Sequence, residues 1–216
     1  MKKNSPENNL TFKIITLGNP GVGKTSIIQR YLRNIFDDNS MSTVGIQFSY
    51  KEVKLDNNES INLKLIDTGG QEKYRAMSKS YFKNADGVLF VFSWNNSDSF
   101  KEITEWIKMF DENNNGKDNI PRYLVGNKCD LQKEIEQEKI DAFAKDYNLK
   151  YYETSAKANV EIDKLFEDIS IILYQGSNSN KNTEQKKIQI NSQLQEEKKK
   201  KNSCCHISNE IEDQSM

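Results

Sequence analysis

From Thr11 to Leu17 apolar and polar residues alternate, then merge into an apolar run that Gly18 ends, the pattern of a strand entering a core. Ile27, Ile28, Tyr31, Leu32 and Ile35 then recur at helical spacing, so Lys24–Ile35 is expected to be a helix. Val44–Leu55 and Ile61–Ile66 read as strands. The polar stretch Asp56–Glu59 between them is too short for a helix, so the two are expected to form a hairpin. Tyr74–Phe82 has helical character, and Gly87–Phe92 is a continuous apolar strand. Phe100, Ile103, Ile107 and Phe110 mark a helix over Ser97–Phe110, with Ser97 or Asp98 as its cap. Further expected elements are a strand at Pro121–Val125, a helix at Ile135–Tyr147, a strand at Lys150–Glu153 and a long amphipathic helix at Val160–Tyr174.

Strands alternating with helices imply an α/β sandwich around a mostly parallel sheet of six strands, one of them antiparallel, with about five helices. After Tyr174 the pattern stops. Residues 175–216 hold eight hydrophobic residues in 42, too few to offset the entropy of ordering, so this segment is expected to be a disordered tail. The domain plan is a flexible N-terminus at 1–10, one domain at 11–174 and the tail at 175–216.

Composition narrows the classes. The 31 basic and 32 acidic residues leave a net charge of -1, which argues against a general nucleic-acid binder. The longest apolar run, Val88–Phe92, is too short to cross a bilayer, and the polar first ten residues show no signal peptide. The three cysteines, at 129, 204 and 205, cannot make a disulfide framework, so a reducing, cytoplasmic location is expected.

The chemistry begins at Gly18, Asn19, Pro20, Gly21, Val22, Gly23, Lys24 and Thr25, a G-x-x-x-x-G-K-T run between an expected strand and an expected helix. Backbone N–H groups of such a loop, at the positive end of a helix, make a nest for phosphates. Lys24 would place a cation on the β- and γ-phosphates, and the Thr25 hydroxyl, followed by Ser26, would ligate Mg²⁺. Asn127, Lys128 and Asp130 follow the strand at Tyr123–Val125. A carboxylate at Asp130 can accept from both N1–H and the exocyclic amine of guanine, a donor pair that adenine lacks. Ser155, Ala156 and Lys157 follow the next strand and would bring a backbone N–H to guanine O6. Asp67 ends an apolar strand and can hold Mg²⁺ through water, with Gly70 and Gln71 placed to contact the γ-phosphate and orient an attacking water.

Four such motifs, in this order and at strand ends, resemble the Ras superfamily of small GTPases over residues 11–174, which implies a P-loop NTPase G domain. Within it the chain is most similar to the Rab family. Val44–Phe48, Gln71–Tyr74, Tyr81–Ala85, Leu124–Leu131 and Glu153–Lys157 carry that likeness. The resemblance implies that Thr43 ligates Mg²⁺ from switch I (about 37–48), while Gly70 and Gln71 belong to switch II (about 68–83). It implies that Phe36 lies against the guanine, the alternative being a buried residue that ends the first helix. It implies a monomeric GTP/GDP switch in vesicle traffic, served by an exchange factor, an activating protein and effectors at the switches. Such a switch would sit peripherally on the cytosolic face of an endomembrane, and without an arginine in cis its own GTP hydrolysis, through Lys24 and Gln71, would be slow.

The chain departs from that pattern in places. Pro20 stands where Rab proteins usually have Ser, Gly69 where Ala is usual, Gln47 where an acidic residue is common, and Ile66 where many Rabs have Trp. Ser93 and Trp94 replace Asp and an aliphatic residue. Position 2 is Lys2, no long insert separates Asp130 from Ile135, and no CaaX box is present, so Arf, Rho and Ras patterns fit less well. Lys198–Lys201 precedes Cys204 and Cys205, as a polybasic segment precedes a lipid-modified pair that docks on a membrane surface, but eleven residues follow that pair. Prenylation of Cys204 and Cys205 and an unmodified pair both remain open. The other functional readings are a GTP-binding scaffold with little hydrolysis and, opposed by the guanine motifs, a P-loop kinase.

Overall fold

The computed structural model describes residues 10–38, 43–56, 59–69, 80–115 and 120–178. The chain divides into one unit, Met1–Leu173, and a second, Tyr174–Met216. The expected tail, all but the last residue of the expected flexible N-terminus, and most of the helix expected at Tyr74–Phe82 lie outside the described residues. A helical turn is present at 80–82.

The first unit is built from β1 (Leu10–Leu17), α1 (Lys24–Arg33), β2 (Ile46–Lys54), β3 (Ser60–Thr68) and β4 (Gly87–Ser93), then α2 (Ser97–Lys101), α3 (Ile103–Asn113), β5 (Arg122–Asn127), α4 (Gln137–Asp146) and β6 (Lys150–Glu153). A last helix, α5, covers 162–178. The six-stranded sheet has the order β2-β3-β1-β4-β5-β6. Only the β2–β3 pair is antiparallel, with Ile46 opposite Thr68 and Lys54 opposite Ser60. Leu55 N–H donates to Glu59 O at 2.8 Å and closes that hairpin. β1 lies between β3 and β4, parallel to both. The connections therefore leave β1 in opposite directions, and a crevice opens at its C-terminal end, where α/β sheets take ligands. The architecture is that of a P-loop NTPase-like G domain.

Every residue of β4 is buried, which explains its unbroken apolar run: helices cover both faces of a parallel sheet. Phe110 meets Phe82 and Phe90 at ring centroid distances of 5.7 and 6.1 Å. Tyr31 of α1 stacks on Phe166 of α5 at 3.9 Å and 13°, with the Lys51 ammonium 3.5 Å from the tyrosine ring. Ser93, Trp94 and Ile66, three of the unusual residues, are all buried, so they are core exchanges in this chain.

The helix bounds differ from the expectation: α1 ends at Arg33 and not at Ile35, α5 covers 162–178 and not Val160–Tyr174, and two further helices differ more deeply. The helix expected at Ser97–Phe110 is broken at Glu102 into α2 and α3, and its cap is Asn96, whose Oδ1 accepts from Ser99 N–H at 2.9 Å. The break lets Phe100 meet Phe92 and Phe143 edge-on at 5.0 and 5.1 Å while Ile103, Trp106, Ile107 and Phe110 are buried. Periodicity could not show it, because both halves keep their apolar residues in nearly the same phase. α4 starts at Gln137, not Ile135. Ile135 precedes the extended cap Glu136 and packs on the cluster that holds Ile140, the positions of a hydrophobic staple.

Truncating Phe110 to Ala removes a side chain with no exposure from the centre of this core. Urea unfolding at fixed nucleotide concentration is expected to show a loss of about 3–5 kcal/mol with an unchanged m-value.

Candidate functional site

The turn after β1 is possible only with glycines. Gly18 has φ 146°, and a Cβ there would lie 2.1 Å from Val91 O. Gly23 has φ 98°, and a Cβ there would lie 2.2 Å from Asn127 Nδ2. These close approaches draw the loop against the ends of β4 and β5 before α1 begins at Lys24.

Lys24 is 5% exposed, and its Nζ donates to Gly18 O at 2.8 Å and Asn19 O at 2.9 Å. Burial pulls this ammonium down to about 8, and Asp67 opposes the shift only in part. Asp67, at the end of β3, is 4% exposed, and its carboxyl is pushed above the ordinary range by burial, against the pull of Thr25 and Lys24. Asp67 Oδ2 accepts from Thr25 Oγ1 at 2.6 Å, and Thr25 Oγ1 lies 2.5 Å from Thr43 Oγ1. Asp67 Oδ1 is buried without a hydrogen-bond partner. Two hydroxyls and a buried carboxylate with an unsatisfied oxygen form a cluster that suits a hard divalent cation. Among the described residues no group of three or more His, Cys, Asp or Glu could hold a metal, so such a site would rest on hydroxyls as well as a carboxylate.

The opposite end is organised by Asn127, which is 1% exposed. Its Nδ2 donates to Val22 O at 2.8 Å, and its Oδ1 accepts from Ala156 N–H at 3.2 Å and Thr154 Oγ1 at 3.3 Å. Ser155 Oγ bonds Asp130 Oδ1 and accepts from Ala158 N–H at 2.9 Å. Lys128 takes a left-handed conformation, φ 62°, where the chain turns out of β5. Lys157 Nζ donates to Asp38 at 3.0 Å and stands 6.0 Å from the centre of the Phe36 ring.

Between the two ends lies a cavity of about 340 Å³. Its walls include Pro20, Gly21, Gly23, Lys24, Thr25 and Ser26 of the glycine-rich turn, Phe36 and Thr43 from the following segment, and Asn127, Lys128, Asp130, Ala156 and Lys157. Phe36 is half-buried beyond the end of α1, on the wall of the cavity and not inside a helix. Gly18, Asn19, Val22 and Ser155 act from behind the walls, through Lys24, Asn127 and Asp130. Gly70, Gln71, Cys204 and Cys205 lie outside the described residues. Gly69 N–H donates to Gly45 O at 2.8 Å, so the two expected switch regions are bonded at their bases.

The motifs did not point to Arg30, Asp38 or Trp106. Trp106 Nε1 donates to Asn19 Oδ1 at 2.9 Å and ties α3 to the glycine-rich turn. Arg30 reaches the loop at Ala156 and Lys157. Their partners lie far away in sequence, and helical periodicity alone assigns these side chains to a face without naming what they meet.

A glycine-rich turn that feeds a helix at the end of β1, with a buried lysine and an aspartate at the end of β3, defines the class as a P-loop nucleotide-binding domain of the G-domain type. The Ras family model matches residues 13–175. The chain is 36% identical to the Ras-related protein Rab-10 of Diplobatis ommata over 159 residues, covering 73% of this chain and 78% of that protein. It is 34% identical to Rab-8A of Bos taurus over 157 residues, covering 72% and 74%. With Rab-13 of Bos taurus it shares 33% identity over 175 residues, covering 79% and 85%. The chain belongs to the Ras family of small GTPases and is Rab-like.

Removing the Asn127 carboxamide should loosen both ends of the cavity together. Asn127→Ala leaves Val22 O and Ala156 N–H without this partner, so a loss of about 2 kcal/mol is expected in urea unfolding. The exchange of the Ala156 amide hydrogen should accelerate with it.

Proposed function

We propose that this chain is a guanine-nucleotide switch that binds GTP and GDP with Mg²⁺, hydrolyses GTP slowly and regulates intracellular membrane traffic. The observation that carries the reading is one cavity lined by Lys24, Thr25 and Thr43 at one end, with Asp67 bonded to Thr25 behind them, and by Asp130, Ala156 and Lys157 at the other.

In this reading the glycine-rich turn and Lys24 hold the phosphates, and Thr25 and Thr43 hold Mg²⁺, with Asp67 through water. The ion, when bound, supplies positive charge against the β- and γ-phosphates. Lys24 donates two of its three N–H groups to Gly18 O and Asn19 O, which leaves one for a phosphate, and the anion would restore the full charge that burial weakens. Asp130, held by Ser155, accepts from the guanine edge, the stretch Ser155–Lys157 brings a backbone N–H to O6, and Phe36 lies against the base. Gln71 orients the attacking water, and Gly70 meets the γ-phosphate. Catalysis is positioning and charge stabilisation without a covalent intermediate. Arg30 donates its guanidinium to the guanine side, so an activating protein would supply the arginine at the phosphates, worth roughly 10³–10⁵ in rate.

Loss of the γ-phosphate would release Thr43 and Gly70, and effectors would read that change at switch I and switch II. An exchange factor would reopen the cavity. Lys198–Lys201 with prenylated Cys204 and Cys205 would hold the monomer on the cytosolic face of an endomembrane. Among the described residues no helix is long and apolar enough to cross a membrane. A GTP binder that barely hydrolyses is the second reading, and Pro20 on the cavity wall is the observation that favours it.

Single-turnover hydrolysis of GTP separates the two. The wild type is expected to turn over, and Gln71→Leu to be slower by at least about tenfold. A variant as fast as wild type overturns the assignment of Gln71.

Lys24 gives a second measurement. With its ordinary value of 10.5 lowered to about 8, the lysine is half neutral near pH 8, and a phosphate beside it raises that value again. GDP added at pH 8 without metal is therefore expected to draw protons onto the protein. Calorimetry in buffers of different ionisation enthalpy should detect this, and Lys24→Met should abolish it.

A further inference from the structure

We propose that Arg30 is a positioning residue for the guanine loop and that its loss shortens the residence of bound GDP. The proposal rests on the guanine-nucleotide reading above.

Arg30 lies in the last turn of α1 and is half-buried. Its Nε donates to Ala156 O at 2.8 Å and its Nη2 to Lys157 O at 3.2 Å. Its Nη1 donates to Asn34 O at 3.0 Å and to Asn34 Oδ1 at 2.9 Å. Asn34 is the left-handed residue that ends α1, with φ 55° and its N–H on Arg30 O at 2.9 Å. Two residues later the chain reaches Phe36. One planar guanidinium therefore fastens the loop at 156–157 and the start of the segment that carries Phe36. Both belong to the cavity wall: Phe36 and Asp38 on one side, Ala156 and Lys157 on the other. The Lys157–Asp38 ion pair joins the same two walls from outside. That pair is exposed and contributes little by itself. The Arg30 fork is charge-assisted and has a fixed planar geometry, so it is the stronger of the two links.

A cation in the last turn of a helix is also favoured by the helix dipole alone. Arg33 shares that turn and is exposed, so it receives the dipole term and serves as the control.

The fork makes the two walls move together. Displacing the segment at 34–38 strains the bonds to Ala156 and Lys157, so the pocket opens on both sides of the base.

The test is release of a fluorescent GDP analogue from the full-length protein, with Mg²⁺ and again in excess chelator. Arg30→Ala is expected to speed release about tenfold in both conditions, because the loss is at the base end and not at the metal. Arg30→Lys should fall between wild type and Arg30→Ala, since an ammonium keeps the charge but not the fork. Arg33→Ala should release GDP at the wild-type rate. Amide exchange at Ala156 and Lys157 should accelerate in Arg30→Ala. A change of less than twofold in release overturns the proposal, as does an equal change in Arg33→Ala. If Arg30→Ala does not fold, Arg30→Lys and Asn34→Ala, which removes one anchor of the fork, carry the same comparison. A wild type that holds GDP no better than ADP would overturn the guanine-nucleotide reading instead, a result distinct from any ratio between variants.

Discussion

The carboxamide of Asn127 is buried where three stretches of chain meet, and both ends of the cavity depend on it. It holds Val22 O on one side and Ala156 N–H on the other. Its own position is fixed by β5 and by the close passage of Gly23, which has no room for a side chain there. A phosphate-side loop and a base-side loop can share one ligand only if their separation is held to a fraction of an ångström. A short buried hydrogen-bonded bridge does that better than packing, because an unmade bond at such a site costs more than a made one contributes. Arg30 and the Lys157–Asp38 pair add outer links to the same frame.

Burial on the phosphate side works against charge. Lys24 and Asp67 are almost wholly buried, and each is shifted toward its neutral form by the loss of water. Their mutual attraction recovers only part of this, and Asp67 keeps one oxygen without a partner. A core built for stability alone would not keep two such groups side by side. The arrangement is coherent if anionic phosphates and a cation complete it, since each would meet a group already held in place and already desolvated.

Much of the plan was legible in the chain itself. Apolar runs and helical spacing placed all six strands and the hairpin, while the order of the strands in the sheet came from the structure. The glycine-rich turn could be read because its residues are adjacent and the backbone geometry they allow is local. The break at Glu102 was not legible, since Phe100, Ile103, Ile107 and Phe110 keep one helical phase across it, and only the structure shows Phe100 meeting Phe92 and Phe143. Asn96 as cap was missed because Ser97 and Asp98 beside it are equally good caps by type. The burial of Trp94 and Ser93 became visible only in the structure, where the Trp94 ring passes so close to Gly126 of β5 that a Cβ there would lie 3.0 Å from its Nε1.

By itself the sequence determined the class of fold and the kinds of atoms offered to a ligand, because periodicity and motif are properties of neighbours. The tertiary structure decided which of those atoms face one another. Asn127 meets Val22 across 105 positions, Arg30 meets Ala156 across 126, and Trp106 meets Asn19 across 87. No local pattern encodes such pairs. They arise because the parallel sheet brings the ends of β1, β4, β5 and β6 to one edge, where side chains remote in sequence compete for the same few buried donors and acceptors.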